Sequence, residues 1–189
     1  MTETIDSSFE YFARNREVLN LFSFSGGFSV AAGVGEAAKV TSVDIAAPAI
    51  EAAKIHWQLN ELPDKHEAVV ADCFQFLEDA IKNAKQWDMV ICDPPSFAPS
   101  QQTQANAIGA YTRLSQLSAA VVRPGGLLAL ASCSSHIDSL QFTQCNLDGF
   151  GRTRRVAKMI ADRALPSDHP SPLAMPELKY LKFQLFQLS

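Results

Sequence analysis

Short apolar runs alternate along this chain with stretches of helical or small-residue character. Glu17-Val18-Leu19-Asn20-Leu21-Phe22 reads as a buried strand, followed by the turn Ser25-Gly26-Gly27 and a small-residue helix over Phe28 to Gly33. Lys39 to Asp44 predicts a second strand, β-branched and ending in an acid. Pro48 then lies near the start of a helix running to about Asn60, where its missing N–H costs little. Glu67 to Val70, followed by Asp72, predicts a third strand, with a helix from Cys73 to about Ala84. Trp87 to Asp93 predicts a fourth, halted by Pro94-Pro95. A loop rich in Gln, Ser and Asn over 96–106 leads to a helix ending near Val122, and Gly125-Gly126 turn into a fifth strand, Leu127 to Ala131.

Repeated strand-then-helix units imply a parallel sheet covered on both faces, because parallel strands need a crossover connection. The continuous apolar character of the strands agrees with burial on both sides. Beyond Cys133 the pattern predicts a helix from Asp138, a basic stretch from Arg152 to Lys158 and a Pro-rich segment from Pro166 to Pro176. Tyr180 to Phe186 alternates as a final strand, expected as an antiparallel edge. The expectation is one doubly wound, mostly parallel α/β domain over 17–189, with 1–16 as an N-terminal extension.

Composition narrows the class. The chain has 189 residues, 47% apolar and 19% charged, enough to bury a core without disulfide or metal staples. Charged residues interrupt every hydrophobic stretch, so no membrane span is expected. Met1 to Glu10 shows no signal-peptide pattern. Cys73, Cys92, Cys133 and Cys145 include no CxxC pair and no His at zinc-ligand spacing, so no metal site is expected and the thiols read as reduced, in a cytoplasmic protein. With a formal charge of −4 and a pI near 5.5, the chain has no global basic field for holding a polyanion unaided.

In an open parallel sheet, ligands bind beyond the carboxyl ends of the strands, at the point where strand order reverses. The polar residues at those ends are Ser23, Ser25, Gly26 and Gly27, then Asp44, Asp72, Asp93, and Ser132-Cys133-Ser134. Gly26-Gly27 lets backbone approach a ligand and exposes the N–H groups opening the next helix. Asp44 follows at the distance expected of an acid that holds a ribose diol. The plainer alternative is a tight turn and a helix cap. The set as a whole points to a nucleoside-containing cofactor, although neither GxGxxG nor a P-loop Lys is present. In Asp93-Pro94-Pro95-Ser96-Phe97 the two prolines remove donors and fix φ, holding the Asp at the strand end.

Leu19-Asn20-Leu21-Phe22-Ser23-Phe24-Ser25-Gly26-Gly27-Phe28-Ser29 resembles the cofactor motif of class I S-adenosylmethionine-dependent methyltransferases, which have a Rossmann-like fold. More narrowly it is similar to the large-subunit ribosomal RNA cytosine-5 type. Val40 to Asp44, Val70-Ala71-Asp72, Asp93 to Phe97, Pro124-Gly125-Gly126, Ala131-Ser132-Cys133-Ser134, Asp168-His169-Pro170 and Tyr180-Leu181-Lys182 follow in that family's order. The resemblance implies that Ser25, Gly26 and Gly27 line the methionine part of S-adenosylmethionine. It also implies that Asp44 holds the ribose, Ile45 lies against adenine, Asp72 accepts from the adenine amino group with Cys73 beside it, and Asp93 faces both donor and target base.

Cys133 is implied as the nucleophile. Carbon 5 of cytosine is a poor nucleophile, and thiolate addition at carbon 6 makes it enamine-like, so one hard step becomes two easier ones. Ser132 and Ser134 are expected to donate hydrogen bonds to the thiol; the plainer alternative is a small Cys buried at a strand end. The implied partner is RNA, with ribosomal RNA foremost. Family members carry a PUA-type RNA-binding domain ahead of this one; none is legible here, so an RNA-binding domain or partner is expected from elsewhere, with a homodimer as one arrangement. The rivals are a guanine or exocyclic-nitrogen RNA methyltransferase working through the DPPSF turn, and a non-catalytic S-adenosylmethionine-binding module.

Overall fold

The computed structural model describes residues 11–98, 100–163 and 180–189. The chain runs β1 (Glu17–Leu21), α1 (Gly27–Val34), β2 (Lys39–Asp44), α2 (Ala47–Leu59), β3 (His66–Val70), α3 (Cys73–Lys82), β4 (Trp87–Cys92), α4 (Gln104–Ala120), β5 (Val122–Ser132), α5 (Ser139–Thr153), β6 (Ala157–Arg163) and β7 (Lys182–Leu188). One sheet orders the strands β3-β2-β1-β4-β5-β7-β6. The first five are parallel, and β7 runs antiparallel between β5 and β6. Strand order therefore reverses between β1 and β4, which opens the crevice where a ligand binds.

Alternation along the strands divides the core. Leu19, Leu21, Val90, Cys92, Leu128 and Leu130 face α3, α4 and α5, packing on Leu77, Tyr111, Leu114 and Phe142. Val18, Met89, Ile91, Leu127 and Ala129 face the other side, on Ala32 of α1 and Trp57 of α2. Asn20 shares that second face and starts a buried polar chain through Ser29 and Ser42 to His66. His66 lies on β3, stacked on Trp57 at 4.6 Å.

The structure differs from the sequence pattern in three places. The fifth strand begins at Val122, because a bulge opposite Trp87 and Met89 lets Pro124-Gly125 stay within the sheet. The expected antiparallel strand lies one place in from the edge, and β6 covers it from outside. The basic stretch at Arg152 to Lys158 runs into β6, whose Met159 and Ile160 are both exposed. An edge strand with little buried surface carries no apolar alternation to read. Asp168-His169-Pro170 and the Pro-rich segment lie outside the described residues. No helix among the described residues is long and apolar enough to cross a membrane.

Candidate active site

The first strand ends in a turn built against its own backbone preferences. Phe22 and Phe24 adopt φ of 56° and 46°, left-handed conformations that cost a non-glycine residue roughly 1–2 kcal/mol each. Four contacts hold them there. The Phe22 N–H donates to the Cys73 sulfur at 3.2 Å, Ser23 N–H to the Val43 carbonyl, Phe24 N–H to the Asp44 carboxylate at 2.9 Å, and Gly26 N–H to the Ser23 carbonyl. Gly26 (φ 84°) abuts α2 so closely that a Cβ would stand 2.8 Å from the Ala53 methyl, whereas a Cβ at Gly27 would meet open space. His56 of α2 donates from Nδ1 to the Ser25 carbonyl at 2.8 Å and steadies the turn.

Around this turn stand the other residues expected at the donor. Asp44 accepts Ala46 N–H with its second oxygen, and Ile45 beside it is 70% exposed. Asp72 caps α3 by accepting from Gln75 N–H. The Cys73 sulfur is sealed between the ends of β1 and β2, where burial pushes the thiol up to about 12. Its side chain therefore shapes the turn from behind. The Ser23 hydroxyl is buried with no hydrogen-bond partner among the described residues, an orphan at the crevice itself.

The other half of the crevice is formed by the ends of β4, β5 and β7. Ser132 and Ser134 turn inward: Ser132 Oγ donates to Tyr111 Oη at 2.9 Å, and Ser134 Oγ lies 2.8 Å from the same oxygen and 3.0 Å from Ser96 Oγ. The expectation that these serines bond the thiol is thereby corrected. Chain alternation sends Cys133 the opposite way, half-buried, with its S–H directed at the Pro94 carbonyl 3.9 Å away. Burial, and then the Asp93 charge, push the Cys133 thiol up, while its own main-chain N–H and, to a smaller extent, the Lys182 ammonium on β7 pull it down. Burial alone raises the Asp93 carboxyl.

The Phe97 ring of the DPPSF turn lies 4.9 Å from Tyr111 and 6.3 Å from Phe22, so it braces both halves. Tyr111 and Lys182 were missed as site residues. Tyr111 reads in sequence as an ordinary helix aromatic, and only the Tyr180-Leu181-Lys182 motif pointed toward Lys182. The basic residues at 152–158 lie elsewhere. Lys158 pairs with Gln187, level with Leu127 and five residues below Ser132, about 17 Å down the sheet from the crevice. The Arg155 guanidinium is committed to the carbonyls of Ala119, Val122, Arg123 and Ser189.

Residues 8–143 match the family model described as S-adenosylmethionine-dependent methyltransferase. The chain belongs to that family. A ribosomal RNA large subunit methyltransferase of Deinococcus radiodurans is 39% identical over 181 residues, covering 95% of this chain and 44% of that protein. Ribosomal RNA large subunit methyltransferase I of Vibrio parahaemolyticus is 36% identical over 174 residues, covering 90% and 44%. The chain thus spans under half the length of these relatives. Among solved structures, SMU.776 complexed with SAH superposes with a TM-score of 0.86 at 28% identity, over 97% of this chain and 48% of that one.

As in the rest of the methyltransferase family, the methyl donor is S-adenosylmethionine. The crevice fits it. The space over Gly27, the unpartnered Ser23 hydroxyl and the carboxylates of Asp44 and Asp72 at adjacent strand ends supply an open cradle with polar anchors for a nucleoside and an amino acid.

Proposed function

We propose that this domain methylates carbon 5 of a cytosine in RNA, with large-subunit ribosomal RNA as the substrate class, through a covalent adduct at Cys133. The names of the Deinococcus and Vibrio relatives support the RNA class. The chemistry rests on one observation: the half-exposed Cys133 thiol opens beside Asp93 and the Pro94 carbonyl, while its flanking serines are locked behind it.

Ser25, Gly26, Gly27, Asp44, Ile45 and Asp72 are assigned to the donor, with Cys73 contributing through the shape of the turn. Bound S-adenosylmethionine supplies a methyl sulfonium. The Cys133 thiolate adds to carbon 6, the ring π-electrons move toward carbon 5, and carbon 5 becomes able to take the methyl group. Asp93, raised by burial and so a stronger base than an exposed carboxylate, removes the carbon 5 proton. The electron pair of that C–H bond restores the double bond and expels the thiolate.

RNA carrying 5-fluorocytosine tests this directly, because fluorine at carbon 5 cannot leave as a proton does. Incubation with the donor should yield a denaturation-resistant protein–RNA adduct that peptide mapping places on Cys133. Cys133→Ala should lose turnover by at least about 10³-fold, the scale on which removing a nucleophile acts. Undiminished turnover in that variant, with the methyl group found on a nitrogen, would overturn the carbon-5 reading.

A further inference from the structure

Lys182 is the first residue of β7, directly opposite Ser132 in the antiparallel ladder with β5. It is 6% exposed, and its ammonium donates to the Ser134 carbonyl at 2.5 Å and the Ile137 carbonyl at 2.6 Å. None of the ion pairs among the described residues includes it. A buried cation whose hydrogen bonds go to neutral carbonyls is costly, and Asp138 is the carboxylate whose charge offsets part of that cost. An anion forming beside it would offset that cost further.

The anion at hand is the Cys133 thiolate. Cys133 is bracketed on one side by the Ser132–Lys182 pairing and on the other by the lysine's grip on Ser134 and Ile137. We propose that Lys182 is the positioning residue of the nucleophile, clamping the loop from Cys133 to Ile137 and fixing a positive charge at the carbonyl of Ser134, next to Cys133. The proposal rests on the Cys133 reading above and deepens it. The other charged and titratable groups in this neighbourhood are Asp93 from β4, Tyr111 from α4, His136 in the loop and Asp138 capping α5. Asp93 opposes the thiolate, and Lys182 is the one cation acting on the sulfur in its favour. Without Lys182, only the Cys133 main-chain N–H would offset the Asp93 charge at an already unfavourable thiolate.

Iodoacetamide labelling of the full chain, without RNA or donor, reads the thiolate population independently of turnover. Cys73, Cys92 and Cys145 are all buried, so peptide mapping isolates Cys133. Lys182→Met should move the pH profile of Cys133 alkylation upward and slow labelling several-fold at neutral pH. Lys182→Arg, which keeps the charge, should recover most of the rate. A residue that merely held the loop would change neither profile in this charge-dependent order. An unshifted profile in a folded Lys182→Met variant overturns the proposal.

Should that variant not fold, the wild-type chain carrying 13C at lysine Cε answers instead. The Lys182 resonance should show an inflection as Cys133 titrates, absent in Cys133→Ser, and a flat titration overturns the proposal. The two readings fail separately. A shifted alkylation profile without any fluorocytosine adduct ends the carbon-5 chemistry and leaves Lys182 coupled to the thiol. An adduct with an unshifted profile ends the role of Lys182 alone.

Discussion

Each half of the crevice places a cysteine just beyond the end of a strand, and the two thiols have opposite fates. Cys73 follows β3, accepts from a main-chain N–H, donates toward the Val43 carbonyl and is shut away from solvent. Cys133 follows β5, is half-open, and faces a carboxylate and a cation. The surrounding acids differ in the same way. Asp72 beside Cys73 is an exposed helix cap, whereas Asp93 near Cys133 is desolvated and raised. One half therefore offers fixed shape and hydrogen-bond acceptors, suited to holding a ligand that does not change protonation. The other concentrates groups whose protonation can change, which is where general-base and nucleophilic chemistry belong.

The largest effect that could break this contrast is expected at Asp93. Asp93→Asn keeps the shape of the turn and removes the base. Turnover should fall by about 10²–10⁴-fold, the range for a general base. The adduct with ordinary cytosine RNA should then persist instead of resolving. The same substitution removes the charge that opposes the thiolate, so the Cys133 alkylation profile should move to lower pH. Stability should change in the opposite sense to activity. A carboxyl whose folded pKa is raised gives its full stabilisation below its unfolded pKa and loses it as pH rises through the folded one. At neutral pH its burial is therefore a cost, and Asn should raise Tm by a few degrees. Loss of turnover without adduct persistence would remove Asp93 as the base.

How far the sequence carried this picture depends on whether a feature was local. The five parallel strands and their helices were legible because doubly buried strands and small-residue turns stamp their own segments. Asp44, Asp72 and Asp93 were legible because they end those strands. β6 was not, since its outer surface is wet and Met159 and Ile160 need no alternating pattern. The insertion of β7 between β5 and β6 was not legible either, because pairing partners are absent from a strand's own residues. The two thiols looked alike in sequence, both small residues after a strand. What separates them is a set of contacts from distant positions. Phe22 and Val43 reach Cys73, while Tyr111 pulls Ser132 and Ser134 inward and thereby turns Cys133 outward.

That last relation makes Tyr111→Phe the intermediate test. The phenol oxygen is shared by both serine hydroxyls; its loss leaves the buried Ser132 O–H without its acceptor, while Ser134 keeps Ser96, at about 1–3 kcal/mol of stability. The Ser132–Cys133–Ser134 strand end should loosen, so kcat should drop by about 10-fold or more, as small misplacements of a reacting group do. Donor affinity, measured by calorimetry, should stay near wild type, because Tyr111 belongs to the acceptor half. A weakened donor with normal kcat would show that the two halves are not separate devices.

The smallest effect is expected at Cys73, and its pH dependence is the informative part. Cys73→Ala removes the acceptor for Phe22 N–H, so the strained turn should relax and donor affinity should weaken a few-fold, while the fluorocytosine adduct at Cys133 still forms. Cys73 and Cys92 are both pushed up to about 12 by burial, from an ordinary thiol value of 9.0. The folded chain keeps both protonated where the unfolded chain ionises. Stability tied to them is thus whole below pH 9 and drains away between pH 9 and about 12. Each thiol contributes about 1.4 kcal/mol per pH unit to that slope. Removing Cys73 should halve the two-thiol share of the alkaline slope in denaturant titrations from pH 9 to 11. It should leave stability at neutral pH lower by only about 1 kcal/mol, the scale of one hydrogen bond. An unchanged alkaline slope would mean that Cys73 ionises freely in the folded chain. The contrast between a sealed thiol at the donor and a working thiol at the acceptor would then collapse from the donor side.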